Sequence, residues 1–294
     1  MGIFTGFEKI VRPDEPMAMH TWFQLGGPAE YFAEPGDLDE LVALVRRGTE
    51  EGLPMRVLGR GSNILVRDEG VSGLVIFLSA PVFRNISIDG HMLSAGGGAR
   101  LGRVVTTAVH AGLAGIEELV AIPGTFGGAV HGNAGTHGGD IGQWVASATV
   151  LTHAGEIVQR EREDMVFGYR KSSLDELVIV SATLELEEED PRELAKRLQK
   201  HWIIRKANQP LGHQSAGCIF KNPVGVGAGA GELIDDAGLK GTRVGGAVVS
   251  DHHANFIVAE QNCTSQDVLA LIEQVRTQVA ERMEVELEQE IEIW

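Results

Sequence analysis

Cysteine is nearly missing from this 294-residue chain: Cys218 and Cys263 are the only two. That is too few for a disulfide framework and fits a reducing compartment. Positive charge is scarce as well, since 25 Lys and Arg against 41 Asp and Glu leave a formal charge of −16. Such a balance disfavours nucleic acid or an anionic membrane as partner. No apolar run nears the roughly 18 residues of a membrane span, and residues 1–16 lack the basic-then-apolar plan of a secretion signal. A cytoplasmic protein with no membrane or nucleic-acid partner is expected, and nothing in the sequence marks an obligate protein partner. The dinucleotide fingerprint G-x-G-x-x-G and the P-loop G-x-x-x-x-G-K-[ST] are both absent, which weakens the two commonest nucleotide-binding readings.

Glycine is abundant and clustered. Eight of the twenty residues from Pro123 to Gly142 are glycine. Such a segment is predicted to be neither helix nor strand but a rigid loop, whose amides can wrap a flat or anionic group. A second amide-rich loop, Gly59 to Asn63 (GRGSN), follows the apolar run Met55 to Leu58. Two such loops in an acidic chain suggest one large anionic cofactor held by backbone dipoles, with close packing as the alternative.

Periodicity supplies the elements between them. Asp37 with Glu40 is a capping-box signature ahead of Leu38, Leu41, Val42 and Val45 at helical spacing. Residues 55–58 and 73–78 read as strands, residues 101–113 as a helix, and residues 146–160 as a hairpin turning at Ala154-Gly155. Four consecutive carboxylates, Glu187 to Asp190, precede Pro191. Asp190 is suited to cap a helix over 191–204, and a domain boundary is placed there. Beyond it come a glycine-rich stretch, 225–231, a helix from about Thr264 to Arg282, and an alternating strand pattern, VELEQEIEIW, at the end.

A set of blocks then carries a resemblance. HTWFQLGGPAEY (20–31), GRGSNILV (59–66), IPGTFGGAVHGNAG (122–135), GYRKS (168–172), SAGCIFKNP (215–223), AGLKG with GGAVVSDHHANFIV (237–258) and LEQE (287–290) occur in this order. Together they resemble the UDP-N-acetylenolpyruvoylglucosamine reductase family over nearly the whole chain. The resemblance implies an α+β protein with an FAD-binding fold of the vanillyl-alcohol-oxidase type. Its two FAD-binding subdomains are expected at 1–75 and 76–190. An α+β substrate-binding domain is expected at 191–294, its last strand free to return to the first subdomain. The implied activity is NADPH-dependent reduction of a UDP-sugar enolpyruvyl ether through FAD, in peptidoglycan precursor synthesis. Having two tyrosines and no insertion after Gly168, the chain resembles the shorter form of the family, which lacks a tyrosine-bearing loop.

Residue roles follow from the same resemblance. FAD contacts are carried onto Gly59, Arg60, Gly61, Ser62 and Asn63, and onto Pro123, Gly124, Gly127, Gly128, Asn133 and Gly135. Arg170 is the implied cation at the substrate, Glu290 the group that polarises the carboxylate end of the enol, and Cys218 the proton donor. Most of the family has serine at that last position; a thiol, with an ordinary pKa of ~8.5, can do the same work. Arg205, Lys221, Asn222 and Arg243 are the candidate substrate contacts. The chain departs from the family at Asn208, Gln289 and Glu292, where lysine, proline and arginine are usual, so a diphosphate contact could shift to Lys206. His252 and His253 are neighbours that would point to opposite faces of a strand, so no metal site is expected. Two rival readings stay open: another FAD oxidoreductase of this fold, and a flavin-binding relative without catalysis.

Overall fold

The structure, a computed structural model, describes residues 3–136, 138–210 and 212–294. It divides into two compact units: one of Met1–Asp14, Glu30–Gly59 and Ser72–Arg205, the other of Glu15–Ala29, Arg60–Val71 and Lys206–Trp294.

Most of a four-stranded sheet belongs to the first unit, in the order Val11–Pro16, Pro28–Ala33, Val71–Phe77, Met55–Leu58. The last two strands run parallel, with Met55 opposite Leu74. Helix α1 (Leu38–Glu50) begins where the sequence predicts: Asp37 Oδ1 accepts from the Glu40 N–H at 2.9 Å and Glu40 Oε2 from the Gly36 N–H at 2.7 Å. Its Leu41, Leu44 and Val45 pack with Leu74 and Ile76. A five-stranded antiparallel sheet follows, in the order Ile157–Glu161, Val145–Leu151, Val178–Glu185, Met92–Gly96, Ile86–Asp89. Val150, Ala182 and Leu93 of this sheet share a core with Val104, Val105 and Ala108 of α2 (Leu101–His110).

The glycine-rich segment corrects the expectation of an all-loop structure. Phe126–His131 forms a short helix, α3, and Gly135–Thr136 pairs antiparallel with Gly139–Asp140. Thr125 caps the helix by accepting from the Gly128 N–H, while Phe126 and Val130 are fully buried. Tertiary packing and a cap thus outweigh the poor helix propensity of the glycines. Helix α4 (Pro191–Asn208) runs four residues past its expected end; Asp190 Oδ1 accepts from the Arg192 N–H at 2.9 Å.

In the second unit, Arg243–Val244, Ala247–Val249 and Ile257–Ala259 make an antiparallel sheet. Helix α5 (Ala230–Asp236), not anticipated in the glycine-rich stretch, and α6 (Ser265–Met283) accompany it. Thr264 and Asp267 form a reciprocal capping box on α6. Val268, Leu271, Ile272, Val275 and Val279 of α6 share a core with Phe23, Leu65, Ile219 and Phe220. The C-terminal strand is shorter than its alternating pattern predicts. Only Glu292–Ile293 is a strand, parallel to Ile64–Leu65, preceded by an isolated bridge between Phe220 and Gln289. That parallel pairing groups residues 60–71 with the C-terminal part of the chain. The limits of the two units therefore fall within the GRGSN loop, after Gly59, and within α4, after Arg205, where the sequence suggests limits at 75 and 190.

Candidate active site

The first unit holds Gly59, the Pro123–Gly135 segment and Arg170. Gly59 sits against the cap of α3, where a β-carbon would lie 2.8 Å from Thr125 Oγ1. The start of one amide-rich loop therefore touches the other. The Pro123–Gly135 segment is laced to the stretch after strand Met92–Gly96: Leu101 donates to Gly124 O at 3.2 Å, Phe126 to Ala99 O at 2.8 Å and Gly127 to Gly97 O at 2.9 Å. Asn133 is 1% exposed and left-handed, with φ 44°. Its Nδ2 donates to Gly168 O at 2.8 Å and its Oδ1 accepts from the Gly142 N–H at 2.9 Å. Both ends of this amide are thus engaged by protein backbone.

Arg170 lies at the tip of a two-residue hairpin between Phe167–Gly168 and Lys171–Ser172, with φ 57°. Its Nη1 donates to Gly135 O at 3.2 Å, and its guanidinium lies 5.2 Å from the centre of the Tyr169 ring. Left-handed backbone at a non-glycine residue stores strain of the kind found at functional sites.

The second unit gathers Arg60, Gly61, Ser62 and Asn63 with Cys218 and Glu290. Gly61 has φ 62°, and a β-carbon there would overlap the His20 carbonyl. Asn63 Nδ2 donates to Glu290 O at 3.3 Å, and Asn63 O accepts from the Glu292 N–H at 2.9 Å. Gly217 has open space around it; the nearest atom to a β-carbon there would be Ser62 O, at 3.8 Å. Cys218 bridges Phe256, Glu290 N–H donates to Ile219 O at 2.7 Å, and Lys221 N–H to Glu288 O at 2.8 Å. The proton-donor candidate and the carboxylate candidate therefore lie on adjoining strand segments, beside the GRGSN loop.

The candidate substrate contacts are less concentrated. Lys221 pairs with Glu288 at 2.6 Å and Arg243 with Glu260 at 2.6 Å. The hydrogen bond from Arg243 holds the Glu260 carboxyl below its usual range. Asn222 Oδ1 accepts from the Ala230 N–H at 2.9 Å and so caps α5. Arg205 lies on α4, in the first unit. At the positions that depart from the family, Glu292 Oε2 accepts from Trp294 Nε1 and Gln289 Nε2 donates to Ile291 O. His253 is used in packing: Nδ1 accepts from the Asn255 N–H, and the ring meets Phe256 edge-on.

Two supports escaped the sequence reading. The triplet Gly96-Gly97-Gly98, which receives the glycine-rich segment, shows in the sequence only as a short run of glycines. Asn255, 3% exposed, grips the backbone of Phe220 from both sides, accepting from its N–H at 2.9 Å and donating to its C=O at 2.8 Å. Its only sequence signal is an asparagine inside an apolar run.

The residues present suit a flavin nucleotide. GRGSN offers backbone amides, a guanidinium and a hydroxyl without a carboxylate, a donor set matched to a diphosphate. Gly59 allows the start of that loop to pack directly on Thr125, since a β-carbon there would meet Thr125 Oγ1 at 2.8 Å. Residues 29–160, which include both amide-rich loops, match an FAD-binding domain, and residues 209–294 match the C-terminal domain of UDP-N-acetylenolpyruvoylglucosamine reductase. The reductase 2 of Symbiobacterium thermophilum is 43% identical over 97% of this chain and 92% of its own length. That of Heliobacterium modesticaldum is 42% identical over 95% and 89%. The crystal structure of the Thermus caldophilus enzyme superimposes with a TM-score of 0.82 at 39% identity, covering 97% of this chain and 98% of that one. With family domains matched across both amide-rich loops and the Cys218 strand, and whole-length relatives near 40% identity, the chain belongs to the UDP-N-acetylenolpyruvoylglucosamine reductase family of FAD-containing oxidoreductases.

Proposed function

We propose that this protein reduces UDP-N-acetylglucosamine enolpyruvate to UDP-N-acetylmuramate with NADPH, in the cytoplasm, as a step of peptidoglycan precursor synthesis. FAD, when bound, supplies hydride transfer from NADPH to the terminal carbon of the enolpyruvyl group. The chain's own residues then deal with charge and proton. Arg170 is the cation that stabilises negative charge building on the substrate carboxylate, and Glu290 polarises the same end of the enol. Cys218 gives its proton to the carbon bonded to the ether oxygen: the S–H bond breaks, the C–H bond forms, and the sulfur keeps the electron pair. Backbone amides of Gly59–Asn63 and of the Pro123–Gly135 segment hold the diphosphate and the ring system. Lys221 and Arg243 answer the substrate's diphosphate by exchanging their carboxylate partners for phosphate oxygens.

The observation that carries this reading is the adjacency of Cys218, Glu290 and residues Arg60 to Asn63 within the second unit. Stopped-flow measurement of the two half-reactions tests it. Cys218→Ala is expected to accept reducing equivalents from NADPH at a near-normal rate. It should reoxidise with the enolpyruvyl substrate about 10²–10⁴-fold more slowly, as for a lost general acid. Cys218→Ser should keep much of the activity. Unchanged reoxidation in Cys218→Ala refutes the assignment, and equal slowing of both half-reactions points to damage at the flavin instead.

A further inference from the structure

The resemblance places Asn133 among the flavin contacts, yet its side chain is buried and already gives a donor and an acceptor to protein backbone, in two separate segments. One of these is Gly168, where the chain enters the hairpin whose tip carries Arg170; the other is Gly142, at the end of the glycine-rich segment. The hairpin needs such a hold. Gly168 pairs with Lys171, leaving Tyr169 and Arg170 as the two turn residues. Arg170, with φ 57°, occupies a second turn position that ordinarily favours glycine. An arginine kept there against its preference must be held by its surroundings. Further pins flank the amide: Ser172 Oγ donates to His131 O at 2.7 Å, His131 Nδ1 meets Leu174 O at 3.0 Å, and Arg170 Nη1 reaches Gly135 O. Of these, Asn133 alone, through one side chain, ties the Arg170 turn to both arms of the glycine-rich segment.

We propose that Asn133 is a positioning residue: its side-chain amide fixes the Arg170 turn relative to the glycine-rich segment, and it is not a flavin ligand. This rests on the reading of Arg170 as the cation at the substrate carboxylate. A group misplaced by about 1 Å costs on the order of 10² in rate, so loosening the turn should act in the half-reaction that uses Arg170 and spare the other.

The test uses the FAD-loaded enzyme. Asn133→Gly keeps the left-handed backbone at no steric cost and removes only the amide. The expected result is full FAD content, normal reduction by NADPH, and substrate-dependent reoxidation slowed about 10²-fold, carried by kcat rather than KM. In the double variant with Arg170→Ala, reoxidation should be no slower than in Arg170→Ala alone, because the two residues act through one effect. Loss of FAD from Asn133→Gly, or effects of the two substitutions that multiply, overturns the proposal. Normal turnover of Arg170→Ala overturns instead the reading of Arg170 on which it rests. Should the glycine variant fail to fold, Asn133→Ser serves: neutral and shorter, it gives up the donor to Gly168 O without burying a charge. It should show the same slow reoxidation; wild-type reoxidation in that variant overturns the proposal.

Discussion

Asn255→Ala is expected to weaken the second unit and the proton-transfer side of the site together. The wild-type side chain makes two hydrogen bonds to the backbone of Phe220, a residue 1% exposed. Truncation leaves a buried N–H and a buried C=O without those partners, at about 1–3 kcal/mol each. Water admitted to the vacated space offsets part of this, so a net loss of ~3 kcal/mol is expected. For a chain of 294 residues, with an unfolding entropy of about 2.1 cal/mol/K per residue, that corresponds to a fall in Tm of roughly 5 °C. Phe220 lies between Ile219, whose carbonyl accepts from Glu290, and Lys221, whose N–H donates to Glu288. The loosened segment therefore carries Cys218 and Glu290 with it, and reoxidation by substrate should slow while reduction by NADPH stays near normal. Asn255→Asp should destabilise at least as much, since its carboxylate would face the Phe220 carbonyl and bury a charge. Gln261→Ala, at an exposed position, is the control and should stay within ~0.5 kcal/mol. Differential scanning calorimetry with stopped-flow kinetics decides the matter. A loss below ~1 kcal/mol in Asn255→Ala would falsify the view that this amide holds the Phe220 strand.

Gly61→Val should fold less stably, by at least ~1–2 kcal/mol for the left-handed backbone alone, and should lose flavin; a visible-to-ultraviolet absorbance ratio unchanged after gel filtration contradicts this. The Cys263 thiol is pushed up to about 11 by burial, then by Asp267 and Asp68. Raised above its unfolded value, it contributes stability that is complete below about pH 9 and lost as pH climbs towards about 11. Cys263→Ala should therefore flatten stability against pH in that window, as urea titrations would show. Alkylation of Cys263 at pH 8 should run tenfold or more slower than that of a free thiol, read by peptide mass mapping.

Local signals in the sequence were reliable where they named both partners of a contact. Asp37 with Glu40 and the turn at Ala154-Gly155 depend on residues a few positions apart, and each lies where the sequence suggests. The glycine-rich segment misled because its α3 is stabilised by Thr125 at its cap and by burial of Phe126 and Val130, and the burial cannot be read from glycine content. The terminal VELEQEIEIW alternates like a strand, yet its true partners, Phe220 and residues 64–65, are distant in sequence and admit only short pairing. The candidate site was legible through its motifs alone. That Arg170 and Cys218 fall in different units, or that Asn133 and Asn255 clamp the segments bearing them, depends on contacts 35 positions apart in sequence, beyond any local pattern.

Asn63 meets Glu290 across 227 positions of chain, and the strand beside it is closed by Trp294. On a ribosome adding about 5–20 residues per second, the GRGSN loop would wait roughly 10–45 s for its pairing partner to be made. For that interval a glycine-rich segment with Ile64, Leu65 and Val66 beside it has no strand to join. Competence to take up cofactor would thus arise late in biosynthesis, only after residues 290–294 have been made. Nascent chains stalled short of residue 290 should be colourless, exposed to chaperones, and cut by proteases within residues 60–71.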